Sequence, residues 1–225
     1  MKKFKYYCVR DLGDKFLYTK PSEDTKNALN KAISCVEKNL GVRVKELNLP
    51  KLRLAFGIWS AMMSNGAECS NSFAKLLTNS EVPINPFKEL MKSIFGLQKN
   101  HTLPAIGLAI VERIPNKQVG RLLLLANELK AEIKEILGDD GVLLFPSFPI
   151  VAPYHNMPMW TNTFDYVYYG IINALGLPST QCPMGLSASG LPTGVQVVSN
   201  HNMDHVTLSV AELFEQQLGG WVPPF

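Results

Sequence analysis

Two hydrophobic periods divide this chain. Short apolar runs bounded by Gly, Pro and Asp read as strands, and stripes spaced three or four residues apart read as helices. Phe4 to Val9 is aromatic and β-branched, as a buried strand should be, and Asp11-Leu12-Gly13-Asp14 supplies turn chemistry after it. A short run, Phe16 to Thr19, leads to Ser22, which can cap a helix whose first turn carries Glu23 and Asp24. Leu29, Ile33, Val36 and Leu40 form that helix's apolar stripe, and Gly41 is placed to end it in a left-handed cap. Val42, Val44 and Leu47 follow as a strand. A strand–helix–strand opening favours a parallel or mixed sheet covered by helices.

The middle of the chain is helical. Leu52 to Thr78 predicts one long helix or two short ones, Pro83 and Pro86 mark a loop, and Phe87 to Phe95 predicts a short amphipathic helix. Another helix follows Pro104, and Asn116 caps a long one over Lys117 to Leu137. Val119, Leu122, Leu123, Ala126, Leu129, Ile133 and Ile136 lie on one side of it, with Gly138 at its end. Strand character returns at Val142 to Phe145, an unbroken apolar run typical of a central strand buried on both faces. Pro146, Pro149 and Pro153 cannot donate to a ladder, so the chain must leave the sheet there as an extended loop. In open α/β sheets ligands bind beyond the carboxyl ends of strands. Thr163 to Leu175 predicts a helix ended by Gly176 and Pro178, Gln181 to Gly185 and Val195 to Ser199 predict strands, and Asp204 opens a last helix ending near Gly219. No internal repeat, low-complexity tract or linker interrupts the pattern, which favours one domain.

Composition narrows the function. The net charge of +3 comes from 22 basic and 19 acidic residues spread along 225 positions. A nucleic-acid binder concentrates its positive charge on one face, so no nucleic-acid partner is expected. Cys8, Cys35, Cys69 and Cys182 lie far apart with no CxxC pair, which suits reduced thiols rather than a zinc site or disulfide framework. No apolar run approaches the roughly 18 residues that span a bilayer, and the lysines at the start are not followed by the apolar region of a signal peptide. A membrane-associated or cytoplasmic location is expected.

Isolated chemical patterns are weak. Ser72-Phe73-Ala74-Lys75 matches the S-x-x-K pattern of Ser/Lys acyl transferases, but its companions S-D-N and K-T-G are absent. His201 and His205 flank Asp204 at a spacing two metal ligands could use, yet they sit at a predicted helix start with no H-E-x-x-H glutamate. His101 and His155 lie in Pro-containing loops, and no G-x-S-x-G elbow or P-loop occurs. No metal or cofactor is implied.

The closing third carries a more specific series. Asn173 precedes Gly176-Leu177-Pro178, then come Pro183-Met184-Gly185 and Gly190-Leu191-Pro192-Thr193-Gly194-Val195-Gln196. In this order, after a strand and a Pro-rich loop, these residues resemble the late part of the amidase-signature family, and within it the fatty-acid amide hydrolases of the second type. The upstream strand–helix–strand unit fits the same order, so the resemblance covers nearly the whole chain.

That resemblance implies an α/β fold with a mixed β-sheet covered by helices, and hydrolysis of a carboxamide. In the family one serine attacks, a second relays its proton, a neutral lysine is the base, and backbone amides of a Gly/Ser-rich loop hold the oxyanion. Those three side chains lie before the strand that Phe4 to Val9 resembles, and no GGSSGG-like segment occurs here. Residues 1–225 are therefore expected to be the closing portion of an amidase domain, with no catalytic residue assigned and no activity alone. Counted back from Asn173, Thr163, Tyr166 and Gly170 take the positions that line the acyl channel. Eight aromatic side chains lie between Phe145 and Tyr169, which is compatible. The expected partner is a lipid amide substrate of the complete enzyme, with a possible homo-oligomer and membrane contact only through upstream segments. A non-catalytic lipid-binding or interaction fragment is the alternative, and a hydrolase built on Ser72 and Lys75 a third. If the front of a single sheet were missing, Val142 to Phe145 and Val195 to Val198 would show apolar faces to solvent.

Overall fold

The computed structural model describes residues 4–13, 16–65, 73–78, 82–97, 101–111, 118–155 and 157–224. These fall into two compact units, residues 60–123 and the remainder on either side of them.

The larger unit is built on a five-stranded mixed sheet. Strand β1 (Lys5–Cys8) is followed by helix α1 (Glu23–Leu40), whose ends form as local chemistry dictates. The Ser22 hydroxyl accepts from the Thr25 N–H at 3.3 Å, and Gly41, at φ 61°, donates its N–H to the Glu37 carbonyl. Strand β2 is only Lys45–Glu46, shorter than the Val42–Leu47 strand the sequence predicts. The Val44 N–H is taken by the Glu37 carboxylate at 3.0 Å, and Val42 and Val44 turn their side chains into the core. Pro50–Leu54 is a 3-10 turn leading into α2 (Ala55–Asn65).

After α3 (Phe73–Leu76), α4 (Pro86–Ile94) and α5 (Leu103–Val111), the long helix α6 (Val119–Leu137) returns the chain to the sheet. Leu122, Ala126, Leu129 and Ile133 are buried along it, as their spacing predicts. Asn116 and Lys117 lie outside the described residues. The turn from α6 to strand β3 (Gly141–Phe145) is tight enough that a β-carbon on Gly141 would overlap the Leu137 backbone. Helix α7 (Pro158–Thr161), α8 (Val167–Leu175), strands β4 (Ser179–Leu186) and β5 (Pro192–Ser199), and α9 (Asp204–Leu218) complete the chain.

The strand order is β2-β1-β3-β5-β4. β1 is parallel to β2 and β3, whereas β5 is antiparallel to both β3 and β4. Alternation along the strands sorts the side chains. Val142, Leu144, Val195 and Val197 pack with Leu29, Val36, Val210 and Phe214 of α1 and α9. On the opposite face Phe145 stacks on Tyr168 of α8, with ring centroids 5.8 Å apart. Both central strands are thus covered, and the solvent-facing apolar surface expected for a sheet lacking its front is not found at Val142–Phe145 or Val195–Val198.

In the smaller unit, Ala74, Ile84 and Ala109 form a small core. Asn85 caps α4 by accepting from the Phe87 and Lys88 N–H groups at 3.2 and 3.3 Å. The helix leaves Phe87, Met91 and Ile94 exposed, continued by Phe95 and Leu97. No helix among the described residues is long and apolar enough to cross a membrane. Cys8, Cys35 and Cys182 are free and buried, and Cys69 lies outside the described residues.

Candidate substrate site

The chain leaves β3 at Pro146, where the ladder to β5 ends at the pair Phe145–Gln196. The Pro-rich loop beyond it is tied to the start of α1. The Pro149 carbonyl accepts from the Ser22 N–H at 2.7 Å and from the buried Thr25 hydroxyl at 2.9 Å. Thr25, Ser147, Phe148, Gln181, Thr193 and Gly194 line a cleft of about 130 Å³ at this strand end. Pockets for drug-sized ligands measure roughly 300–1,000 Å³, so this cleft is too small to enclose an acyl chain. The Ser147 hydroxyl donates to Gln181 Oε1.

An aromatic wall stands on the same unit. Phe56 and Trp59 of α2 stack at 6.4 Å; Phe164 meets Phe56 edge-on at 4.7 Å, and Tyr166 meets Trp59 edge-on at 5.0 Å. Tyr169 lies 6.5 Å from Tyr166. A β-carbon on Gly170 would come within 3.2 Å of the Trp59 ring and 3.7 Å of Tyr166, so the bare backbone lets the indole lie against α8. The Tyr166 hydroxyl is buried without a hydrogen-bond partner among the described residues, and burial first, with Tyr169 and Tyr18 beside it, pushes its phenol up to about 12. Of the three positions predicted to line a channel, Tyr166 and Gly170 are brought together against Trp59. Thr163 is exposed on the turn before α8.

That turn is a correction to the helix predicted from Thr163. α8 begins only at Val167, because residues 162–165 are captured by a distant segment. Asp165, 1% exposed, accepts from the Thr19 N–H at 2.8 Å and from Asn162 Nδ2 at 2.7 Å. Asn162 Nδ2 also reaches the Thr19 hydroxyl at 2.9 Å, and the Tyr168 hydroxyl donates to the Thr19 carbonyl at 3.3 Å. Tyr18 in turn accepts from the Phe56 N–H at 2.8 Å. The loop before α1 therefore anchors both sides of the aromatic wall.

The other candidate chemistry does not assemble. Ser72 lies outside the described residues. His101 and His155 stand in a bend and a turn, and no metal-holding group of three His, Cys, Asp or Glu occurs among the described residues. His205 is exposed, whereas His201 Nε2 is buried without a partner among the described residues. Burial, then Lys130 and Lys134, holds the His201 ring below its ordinary value of 6.5. The unfolded chain therefore takes up this proton first as pH falls, so the stability tied to the neutral ring is present above pH 6.5 and is lost on acidification through and below it. Melts at pH 7.5 and 5.5 should show a smaller acid destabilisation in His201→Phe than in the wild type. An equal loss in both would remove His201 from that role.

A family model described as Amidase matches residues 12–208. The chain belongs to the amidase-signature family. It is 40% identical to fatty-acid amide hydrolase 2 of Homo sapiens, across 100% of this chain and 43% of that protein. Fatty-acid amide hydrolase 2-A of Danio rerio is 39% identical, across 100% of this chain and 42% of its own length. This amidase chain thus spans less than half the length of the curated relatives it matches. The crystal structure of an amidase superposes with a TM-score of 0.68 at 17% identity, covering 96% of this chain and 46% of that one. That likeness shows the fold, an open mixed sheet with helices.

Within this amidase chain, sequence reasoning missed Phe56, Trp59, Asn162, Asp165 and the role of Gln196. Gln196 had a local signal: a polar residue inside the apolar run Val195 to Val198 must find partners when buried. Trp59 had none, since its neighbours Tyr166 and Gly170 lie over a hundred positions away in the chain.

Proposed function

We propose that this chain supplies the acyl-binding side of a carboxamide hydrolase acting on fatty-acid amides, to give a fatty acid and an amine. The observation that supports it is the wall on α8, where Gly170 leaves room for Trp59 and Tyr166 closes over it. A long apolar chain laid on such a surface gains about 0.8 kcal/mol per buried methylene. The identity to enzymes named for fatty-acid amides points to the same class. In this reading the aromatic wall holds the acyl chain and the strand-end cleft takes a small polar group. In the same reading, attack on the carbonyl and proton relay belong to two serines and a lysine, and oxyanion stabilisation to backbone amides of a Gly/Ser-rich loop, all supplied from outside these residues.

The side chains present support inactivity of the chain alone. Ser179 pairs with Gln196, Ser199 with the Met203 carbonyl, and Ser147 with Gln181. A lysine base must be held neutral, but Lys51 is pushed upward, first by its hydrogen bond to Glu132. Lys31 donates to the Met184 carbonyl at 2.8 Å. Incubation of the purified chain with a fluorophosphonate probe should give no stoichiometric serine labelling. Labelling abolished by Ser72→Ala would instead establish an independent site there.

A second reading, a lipid-binding or interaction fragment without turnover, is favoured by the exposed apolar residues Phe87, Met91 and Ile94 of α4. Binding of long-chain amides by the complete protein with no product formed is its signature. Membrane association of the complete enzyme is part of the main proposal, and no helix among the described residues supplies the span.

A further inference from the structure

Gln196 stands where three parts of the site meet. It is 4% exposed on β5 and faces α8, away from the α1–α9 core. Its Nε2 donates to the Pro146 carbonyl at 3.0 Å and to the Tyr168 carbonyl at 3.1 Å, using both amide hydrogens. Its Oε1 accepts from the Ser179 hydroxyl at 3.2 Å. Pro146 is the first residue after β3, directly before Ser147 in the strand-end cleft. Tyr168 lies in the first turn of α8, between Tyr166 and Gly170 of the aromatic wall. One side chain therefore ties the cleft and the wall to the same strand.

We propose that Gln196 is a positioning residue: its carboxamide fixes how far the aromatic wall of α8 stands from the cleft beyond β3, and so sets the length of apolar chain the site accepts. This rests on the reading of that wall as an acyl-binding surface. The chemistry of the residue is specific. A carboxylate at this position could not donate to two carbonyls, and a thioether of similar shape could donate to neither. Asn would keep its donors but fall a methylene short of both. Only a primary amide on a two-carbon stem meets two acceptors and one donor from β5.

The test uses the purified 225-residue chain with Trp160 and Trp221 replaced by Phe, so that Trp59 alone reports. Emission is titrated with two probes, an eight-carbon and an eighteen-carbon primary amide. The parent chain should bind the longer amide at least about tenfold more tightly, a conservative figure for ten extra methylenes. In Gln196→Met the ratio should fall to within about threefold, with Trp59 emission shifted to the red as α8 moves. Ser179→Ala, which removes only the third partner, should lower the ratio by a smaller factor; it serves if Gln196→Met does not fold. An unchanged ratio in the variant that folds, with only its melting temperature reduced, would make Gln196 a stabilising residue and overturn the inference. Failure of the parent chain to bind either amide would remove the acyl-wall reading itself, and this inference with it.

Discussion

Asp165→Ala should melt about 10–15 °C below the wild-type chain. Asp165 is fully buried and accepts from the Thr19 backbone and from the Asn162 amide, at 2.8 and 2.7 Å. Hydrogen bonds to a charged group contribute about 1.5–3 kcal/mol each, and the stranded donors keep their desolvation cost. A total near 3–5 kcal/mol lowers the melting temperature by about 2–4 °C per kcal/mol in a domain of this size. Asp165→Asn is the informative partner. Its Oδ1 can still accept from Thr19, but its amide would face the Asn162 amide. Asn162 relieves this only by turning its amide over, which exchanges donor and acceptor roles with the Thr161 and Thr19 hydroxyls. Roughly half the loss should therefore remain. The same variants should disturb Tyr166, the next residue, and so change near-ultraviolet dichroism of the aromatic wall. A melting temperature for Asp165→Ala within about 2 °C of wild type would show that the network does not hold the turn.

Gly141→Ala is the second large effect, from the addition of a single carbon. The new methyl group would overlap the backbone of Leu137, the last residue of α6. Backbone cannot swing aside as a flexible side-chain tip can. Either the turn through Gly138 must open or β3 must slide along its ladder with β1 and β5. Overpacking typically costs about 1–3 kcal/mol, and a backbone clash beside a fully buried strand belongs at the upper end. A drop of about 5–10 °C is expected in thermal melts followed by circular dichroism. A comparison at Gly41, where nothing lies within 4 Å of the added carbon and only φ 61° opposes the change, should show a smaller loss. Equal losses at the two sites would mean that the close approach to α6 does not govern the first.

Much of the frame was legible from residues close together in the chain. Ser22 and Gly41 bound α1, and Gly176 and Gly219 end α8 and α9 in left-handed caps. Each of these contacts spans only a few positions, so it forms wherever the helix forms. The apolar run at Val142 likewise announced a strand covered on both faces, because no polar side chain there could meet water. The ordered motifs from Asn173 to Gln196 carried the family. What failed was decided at long range. The predicted start of α8 at Thr163 gave way because Asp165 and Asn162 bind Thr19, more than 140 positions earlier. β2 shrank because a carboxylate of α1 took the Val44 N–H before a neighbouring strand could. The candidate wall divides in the same way: counting along a motif picks out Tyr166 and Gly170 as candidates, whereas their packing against Trp59 and the brace at Gln196 became visible only once folding brought α2, α8 and the end of β3 together. Periodicity and caps report what a residue does to its own turn of chain; a buried polar atom takes whichever partner the fold delivers, and that choice is made in three dimensions.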